Sequence, residues 1–274
     1  MPRLLPYLLI FTLLACEYQS SREIRFDRRS AFGRVLVVDE GDRRHLRFGS
    51  PDSGNQGTIS LSDPKAVPME YIRFTLLGML LAPKPERVLM VGLGGGTFTT
   101  LLRRHDASLW IDAVEIDPVV VQAAKEWFGV EEDRGFRIHV ADGAAFIDRT
   151  PHSYDLIMLD IHTGKSTPEH LASHRFFEAV RSRLTPGGVA VLNVWDEGHR
   201  EGVIENRFRA TFSETACIRT SDGYNLVLFG RASHTMPDQE TLIAAARKFT
   251  SDKGLSFDLT KVAKALRTEC AKRQ

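Results

Sequence analysis

The chain has little cysteine, no excess of either charge and no long apolar run. Its three cysteines in 274 residues, Cys16, Cys217 and Cys270, show neither a metal-ligand spacing nor a paired framework, which argues against a zinc site. The 36 Lys and Arg residues stand against 35 Asp and Glu, for a formal charge of +1. The basic residues are interspersed with acids rather than gathered into a stripe, which excludes the electrostatic footprint of a nucleic-acid partner. The apolar run near the N-terminus, Leu4 to Leu14, is too short to cross a bilayer as a helix. Internal repeats and low-complexity linkers are also missing. An apolar content of 43% at this length is enough for one good core and a small appendage.

What is present is concentrated in a few strand ends. Val88 to Val91 is an apolar run without helical periodicity, as expected of a buried parallel strand, and it leads into Gly92-Leu-Gly-Gly-Gly-Thr97. Gly92, Gly94 and Gly96 allow a tight turn and bring backbone N–H groups close to a ligand, and Thr97 to Arg104 continues as a helix. A second strand, Leu109 to Val114, delivers Glu115 about 20 residues beyond the glycines, where a carboxylate can accept both hydroxyls of a ribose. The pattern describes a nucleoside pocket with Glu115 as ribose clamp. Asp142-Gly143 ends a third strand unit, where Asp142 either accepts from the exocyclic amine of an adenine or caps the following helix. A fourth strand, Tyr154 to Leu159, ends in Asp160, which falls beside the same crevice if strand order reverses at the first strand.

Around this centre the pattern changes. Arg3, the apolar run and Leu13-Leu14-Ala15-Cys16 resemble a bacterial lipobox, in which Cys16 would be lipidated after cleavage, placing the protein at the cell envelope through a lipid anchor. The alternative is an uncleaved anchor or an unused extension on a cytoplasmic protein. Residues 24–66 read as a small β domain, with Glu40-Gly41-Asp42 as the turn of a hairpin between Arg34–Val38 and His45–Phe48. Asp63 to Leu81 reads as one helix stopped at Ala82-Pro83. Residues 67–232 read as the nucleoside-binding domain, with Phe176–Leu184 helical, Val189–Val194 a strand and Asn225–Phe229 a late antiparallel one. Residues 233–274 read as a helical tail. Its basic end, Lys261 to Arg273, reads either as a solvated terminal helix or as a contact with an anionic membrane surface. His170 and His174 lie four apart after His162, but no third ligand at suitable spacing is evident, so no metal is expected. Ile161 to Leu171 reads as a lid over the pocket, and Trp127-Phe128 as core.

Taken together, the glycine turn, Val114-Glu-Ile-Asp-Pro-Val-Val120, Asp142-Gly143, Tyr154-Asp-Leu-Ile-x-x-Asp160 and Leu184-x-Pro-Gly-Gly188 resemble the polyamine aminopropyltransferases, the spermidine synthase family. The likeness runs from about residue 34 to 230 and takes in the hairpin, Gln56 and Glu70-Tyr71 upstream. A class I methyltransferase shares the sheet and Glu115 but usually lacks that hairpin. The resemblance implies an α/β fold: a Rossmann-like doubly wound sheet of the S-adenosylmethionine-dependent methyltransferase type, with a small N-terminal β-hairpin domain. It implies transfer of an aminopropyl group from decarboxylated S-adenosylmethionine to a small-molecule amine, with Asp160 as base. Glu115 would then bind ribose, Asp142 adenine, and Gln56 the nucleoside or its tail, while Glu70 and Tyr71 face the acceptor. A homodimer is expected by the same analogy. Two positions depart from the family. Gly95 stands where the family turn carries an aspartate for the cationic aminopropyl end, and Thr163 stands where a second acid follows the catalytic one. Three readings follow: an aminopropyltransferase with altered acceptor, a transferase using intact S-adenosylmethionine, and a nucleoside-binding homologue without turnover.

Overall fold

The computed structural model describes residues 22–162, 167–195, 200–233 and 235–270. Cys16 and Thr163 lie outside the described residues, as does the whole of the lipobox. Four strands, β1 (Arg22–Arg29), β2 (Arg34–Glu40), β3 (Arg43–Phe48) and β4 (Asn55–Ser60), form an antiparallel meander in that order. The β2–β3 hairpin turns at Gly41-Asp42, with Glu40 opposite Arg43. Phe26, Val35, Val37 and Leu46 of this sheet join the main core.

The expected helix over 63–81 is shorter and broken. It is α1 (Glu70–Thr75) followed by α2 (Gly78–Leu81). Pro64 and Pro68 lack donors and push the residues before them out of the helical region, so regular helix begins only at Glu70. α2 then lies directly on the sheet: a Cβ at Gly78 would stand 2.7 Å from a Leu156 methyl and 2.8 Å from a Val191 methyl.

Strands and helices then alternate through β5 (Arg87–Val91), α3 (Thr97–His105), β6 (Trp110–Glu115), α4 (Pro118–Trp127), β7 (Phe136–Val140), α5 (Gly143–Arg149) and β8 (Tyr154–Leu159). A 3-10 turn, Glu169–Ala172, precedes α6 (His174–Ser182), β9 (Leu184–Trp195), α7 (Glu201–Thr211), β10 (Glu214–Arg219) and β11 (Asn225–Arg231), and the chain closes with α8 (Gln239–Lys253) and α9 (Leu259–Ala265). The seven-stranded sheet has the order β10-β11-β9-β8-β5-β6-β7. β5 pairs in parallel with β6 on one side and β8 on the other, so strand order reverses at β5, as expected. β11 is antiparallel to β9. β9 is longer than the strand foreseen at Val189, because Leu184 already pairs with Tyr154 before an irregularity at the glycines.

Two expectations for the C-terminal part are corrected. Cys217 and Cys270 form a disulfide across 53 residues, with Cα atoms 6.0 Å apart. The tail returns along the free edge of β10, where Arg267 and Cys217 exchange backbone hydrogen bonds of 2.7 and 3.0 Å, and this return brings together two thiols whose sequence spacing carries no pairing signal. The basic helix is also shorter than Lys261 to Arg273: α9 ends at Ala265, and Leu259, Val262 and Ala263 are buried in the main core. Leu242 and Ala246 of α8 join that core too, so the tail is an integral layer of the fold. Among the described residues no helix is long and apolar enough to cross a membrane.

Candidate functional site

The carboxyl ends of β5, β6 and β8 meet at one point. Gly92 donates its N–H to Val114 O at 2.8 Å and Asp160 donates to Val91 O at 2.9 Å, so the three strand ends are held by backbone alone. Gly92 has φ +91, and a Cβ there would lie 2.0 Å from the carbonyl oxygen of Asp160. Only glycine lets the first strand turn away while the fourth delivers its aspartate alongside.

A cavity of about 530 Å³ opens over this junction, within the size range of small-molecule sites. Gln56, Tyr71, Gly92, Gly94, Glu115, Asp142, Gly143 and Asp160 all line it, so most of the residues singled out from sequence converge there. Glu115 is half-buried and held by backbone: one carboxylate oxygen accepts from Leu93 N at 3.1 Å and Gly94 N at 3.4 Å, the other from Asp117 N at 3.0 Å. Burial pushes its carboxyl above the usual range, against those three donors. Gly96 caps α3 in the left-handed conformation and shapes the turn from behind the cavity. Asp142 realises its capping reading, accepting from Ala145 N at 2.9 Å, while its second oxygen lies 3.0 Å from His170 Nε2. Burial acts to raise Asp142, but the Ala145 N–H and His170 outweigh it, and the carboxyl lies below its ordinary value.

Asp160 sits in a cradle of its own. Tyr71 donates its hydroxyl to one carboxylate oxygen at 2.8 Å, and Asn193 donates its amide to the other at 2.8 Å. Asn225 in turn donates to the Asn193 carbonyl oxygen at 3.0 Å. Burial raises the Asp160 carboxyl above the ordinary aspartate range, and the bonds from Asn193 and Tyr71 only partly offset it. Burial also pushes the Tyr71 phenol far up, reinforced by the neighbouring Asp160, so it stays protonated as a donor. The arrangement suits a proton acceptor: a carboxylate fixed on both oxygens, facing a cavity, with an elevated affinity for a proton.

Glu70 falls elsewhere. Its carboxylate accepts from the backbone N–H of Ser221 at 2.7 Å and from the Ser221 hydroxyl at 2.9 Å, outside the cavity lining. It anchors the β10–β11 turn, which carries Asp222 and Tyr224 to the cavity wall. Asn193 and Asn225 were missed by sequence reasoning. The signal was there for Asn193, a lone amide within Val189-Ala-Val-Leu-Asn-Val-Trp195 that is only 8% exposed, since a buried polar group in an apolar strand implies a partner. Trp195 and His162, whose rings lie 4.6 Å apart, also line the cavity. His162, His170 and His174 do not assemble: His170 faces Asp142, and His174 faces Glu178 on α6.

The Spermine/spermidine synthase domain matches residues 73–215, just over half of the chain. The polyamine aminopropyltransferase of Vibrio vulnificus is 31% identical over 257 residues, spanning 91% of this chain and 85% of that protein. The chain belongs to the spermine/spermidine synthase family. A probable spermidine synthase from Corynebacterium glutamicum shares the fold, with a TM-score of 0.70 at 21% identity over 91% of this chain and 95% of that one. Human methyltransferase-like protein 13, solved with SAH, has a TM-score of 0.60 at 27% identity over 67% of this chain and 90% of that one.

The turn at Gly95 is closed in by its surroundings. A Cβ at Gly95 would lie 3.2 Å from the Phe128 ring edge and 3.6 Å from Gly57 Cα, and a Cβ at Gly57 would lie 3.1 Å from Gly95 N. β4 and Phe128 thus pack against the turn. Replacing Gly92 by alanine is expected to destabilise the protein by at least about 2 kcal/mol, from the positive φ and the overlap with Asp160 O together. Urea unfolding measures it, and a change within about 0.5 kcal/mol would show that the strand junction is looser than described.

Proposed function

We propose that the protein is an aminopropyltransferase that moves the aminopropyl group of decarboxylated S-adenosylmethionine onto a small-molecule amine, with Asp160 as base. The observation that carries the reading is the Asp160 cradle facing a cavity lined by Glu115 and Asp142. Glu115, at the end of β6, would accept the ribose hydroxyls. The second oxygen of Asp142 would accept from the adenine amine in exchange for His170, and Gln56, on the cavity wall, would reach the nucleoside or its tail. The acceptor amine would lie on the side of Tyr71, Asn193 and Trp195. It gives a proton to Asp160, its lone pair forms a bond to the carbon beside the sulfonium, and the carbon–sulfur bond breaks with its electrons to sulfur, releasing methylthioadenosine. The whole family membership supports this chemistry, and the bound carboxylate supports the role of Asp160.

The base is needed ionised, so its raised affinity for a proton sets the direction of the pH dependence. Activity is expected to rise with pH along a limb placed above the ordinary aspartate range, and Asp160→Asn is expected to cut methylthioadenosine release by about 10²- to 10⁴-fold without weakening nucleoside binding. Steady-state assays of methylthioadenosine formation across pH check both. Undiminished turnover of the Asp160→Asn variant would remove Asp160 from the reaction.

A second reading is supported by Gly95. Without the family's acid at the cationic tail, the pocket lacks a charge that would disfavour the carboxylate of intact S-adenosylmethionine, and methyl transfer becomes the competing chemistry. Thermal-shift titration separates the two: the aminopropyltransferase reading expects a larger shift with the decarboxylated sulfonium, and a larger shift with S-adenosylmethionine would reverse the assignment.

For location, the proposal is the cell envelope, with Cys16 as the lipidated residue. The Cys217–Cys270 disulfide supports it, since disulfides persist chiefly in oxidising compartments. This placement requires a supply of the sulfonium substrate outside the cytoplasm. Metabolic labelling with a palmitate analogue is expected to mark the wild-type protein and not Cys16→Ser; equal label on both would refute the anchor.

A further inference from the structure

A second groove, of about 460 Å³, lies on the edge of the sheet away from the Asp160 cradle. β7 is the edge strand, and α5 covers only part of the face that β6 and β7 present on this side. The floor is aromatic. Trp110 at the start of β6 is 39% exposed, and Phe146 of α5 stands with its ring centroid 4.8 Å from that of His139. The guanidinium of Arg87 approaches the Trp110 ring to 5.4 Å.

The rim is cationic. Arg137, Arg149 and His152 line the groove together with His139. Asp112 is the acid among the lining residues, and it is already engaged: it is 4% exposed, with one oxygen 2.7 Å from His139 Nε2 and the other accepting from the Tyr154 hydroxyl at 3.0 Å. Asp112 therefore fixes the imidazole and offers no counter-charge to a ligand. Glu132, the acid whose charge is felt near Arg137, is itself held by Lys125 at 2.7 Å and by the N–H of Ile138 at 2.9 Å. Arg149 forms no ion pair among the described residues.

We propose that this groove is a binding site for a small planar aromatic anion, whose ring lies on Trp110 and Phe146 and whose carboxylate or phosphate is held by Arg137 and Arg149. Both parts of the ligand are required by the surface. A flat ring covers apolar area that is otherwise exposed to water, and an anion meets guanidinium groups that suit planar, two-pronged recognition. Neither element of the groove belongs to the transfer chemistry, so the site stands or falls independently of that reading. It does lie back to back with the larger cavity, since Ala141 lines both.

Isothermal titration of the full chain tests it, with indole-3-acetate as aromatic carboxylate, phenyl phosphate as aromatic phosphate, and inorganic phosphate and tryptamine as probes lacking the ring or the negative charge. Saturable binding of at least one aromatic anion is expected, weakened at least tenfold in R137A/R149A. These two side chains are exposed, so the variant is expected to keep the thermal melt of the wild type. Glu115→Ala is expected to leave the isotherm unchanged, which places the ligand outside the larger cavity; loss of binding in that variant would assign it to the larger cavity and overturn the proposal. Absence of saturation with either aromatic anion at about 10 mM, equal binding of inorganic phosphate or tryptamine, or an unchanged isotherm in R137A/R149A would each overturn it as well.

Discussion

The contact between Gly92 and the carbonyl oxygen of Asp160 is the constraint on which the rest of the site depends. Three parallel strands must end at the same level for a ligand to meet all of their last residues, and here the backbones of β5, β6 and β8 are bonded to one another up to those residues. A side chain at position 92 would part β5 from β8 and move Asp160 away from Glu115. The polar groups of the crevice are therefore placed by main-chain geometry, which is stiffer than any arrangement of side chains on loops.

The second layer of organisation is the way each carboxylate is held. Glu115 is bound by N–H groups of the glycine turn, Asp142 by the first turn of α5, and Asp160 by side chains from α1 and β9. The first two kinds of support are local in sequence. The third joins residues 71, 160, 193 and 225 into one chain of hydrogen bonds around an acid whose proton affinity is raised by burial. The N-terminal sheet adds the roof. Gly57 lies against Gly95, where a Cβ on Gly57 would stand 3.1 Å from Gly95 N, and the same contact brings Gln56 over the glycine turn.

Much of this was legible in the chain. The apolar runs, the glycine turn and the acids at strand ends identify a doubly wound sheet and the residues of its crevice, because parallel strands buried on both faces read as continuous apolar segments. The β2–β3 hairpin was equally plain from its turn. The long helix over 63–81 was misread because apolar periodicity continued through Pro68 and Gly78, where backbone constraints and contact with β8 and β9 prevailed. The role of Glu70 was misassigned since adjacency to Tyr71 in sequence says nothing about direction: consecutive residues on a helix face different sides, and Glu70 turns to Ser221 while Tyr71 turns to Asp160.

The sequence by itself determined which residues stand at the ends of strands, and hence the crevice and its acids, because strand period and glycine chemistry act within a few residues. Tertiary structure alone decided what those acids touch. The Asn225–Asn193–Asp160 chain, the closure of Phe128 and Gly57 on Gly95, and the pairing of Cys217 with Cys270 all join segments far apart in the chain. Their pairing follows from the order of strands in the sheet and from the path of the tail along its edge, neither of which local propensity encodes.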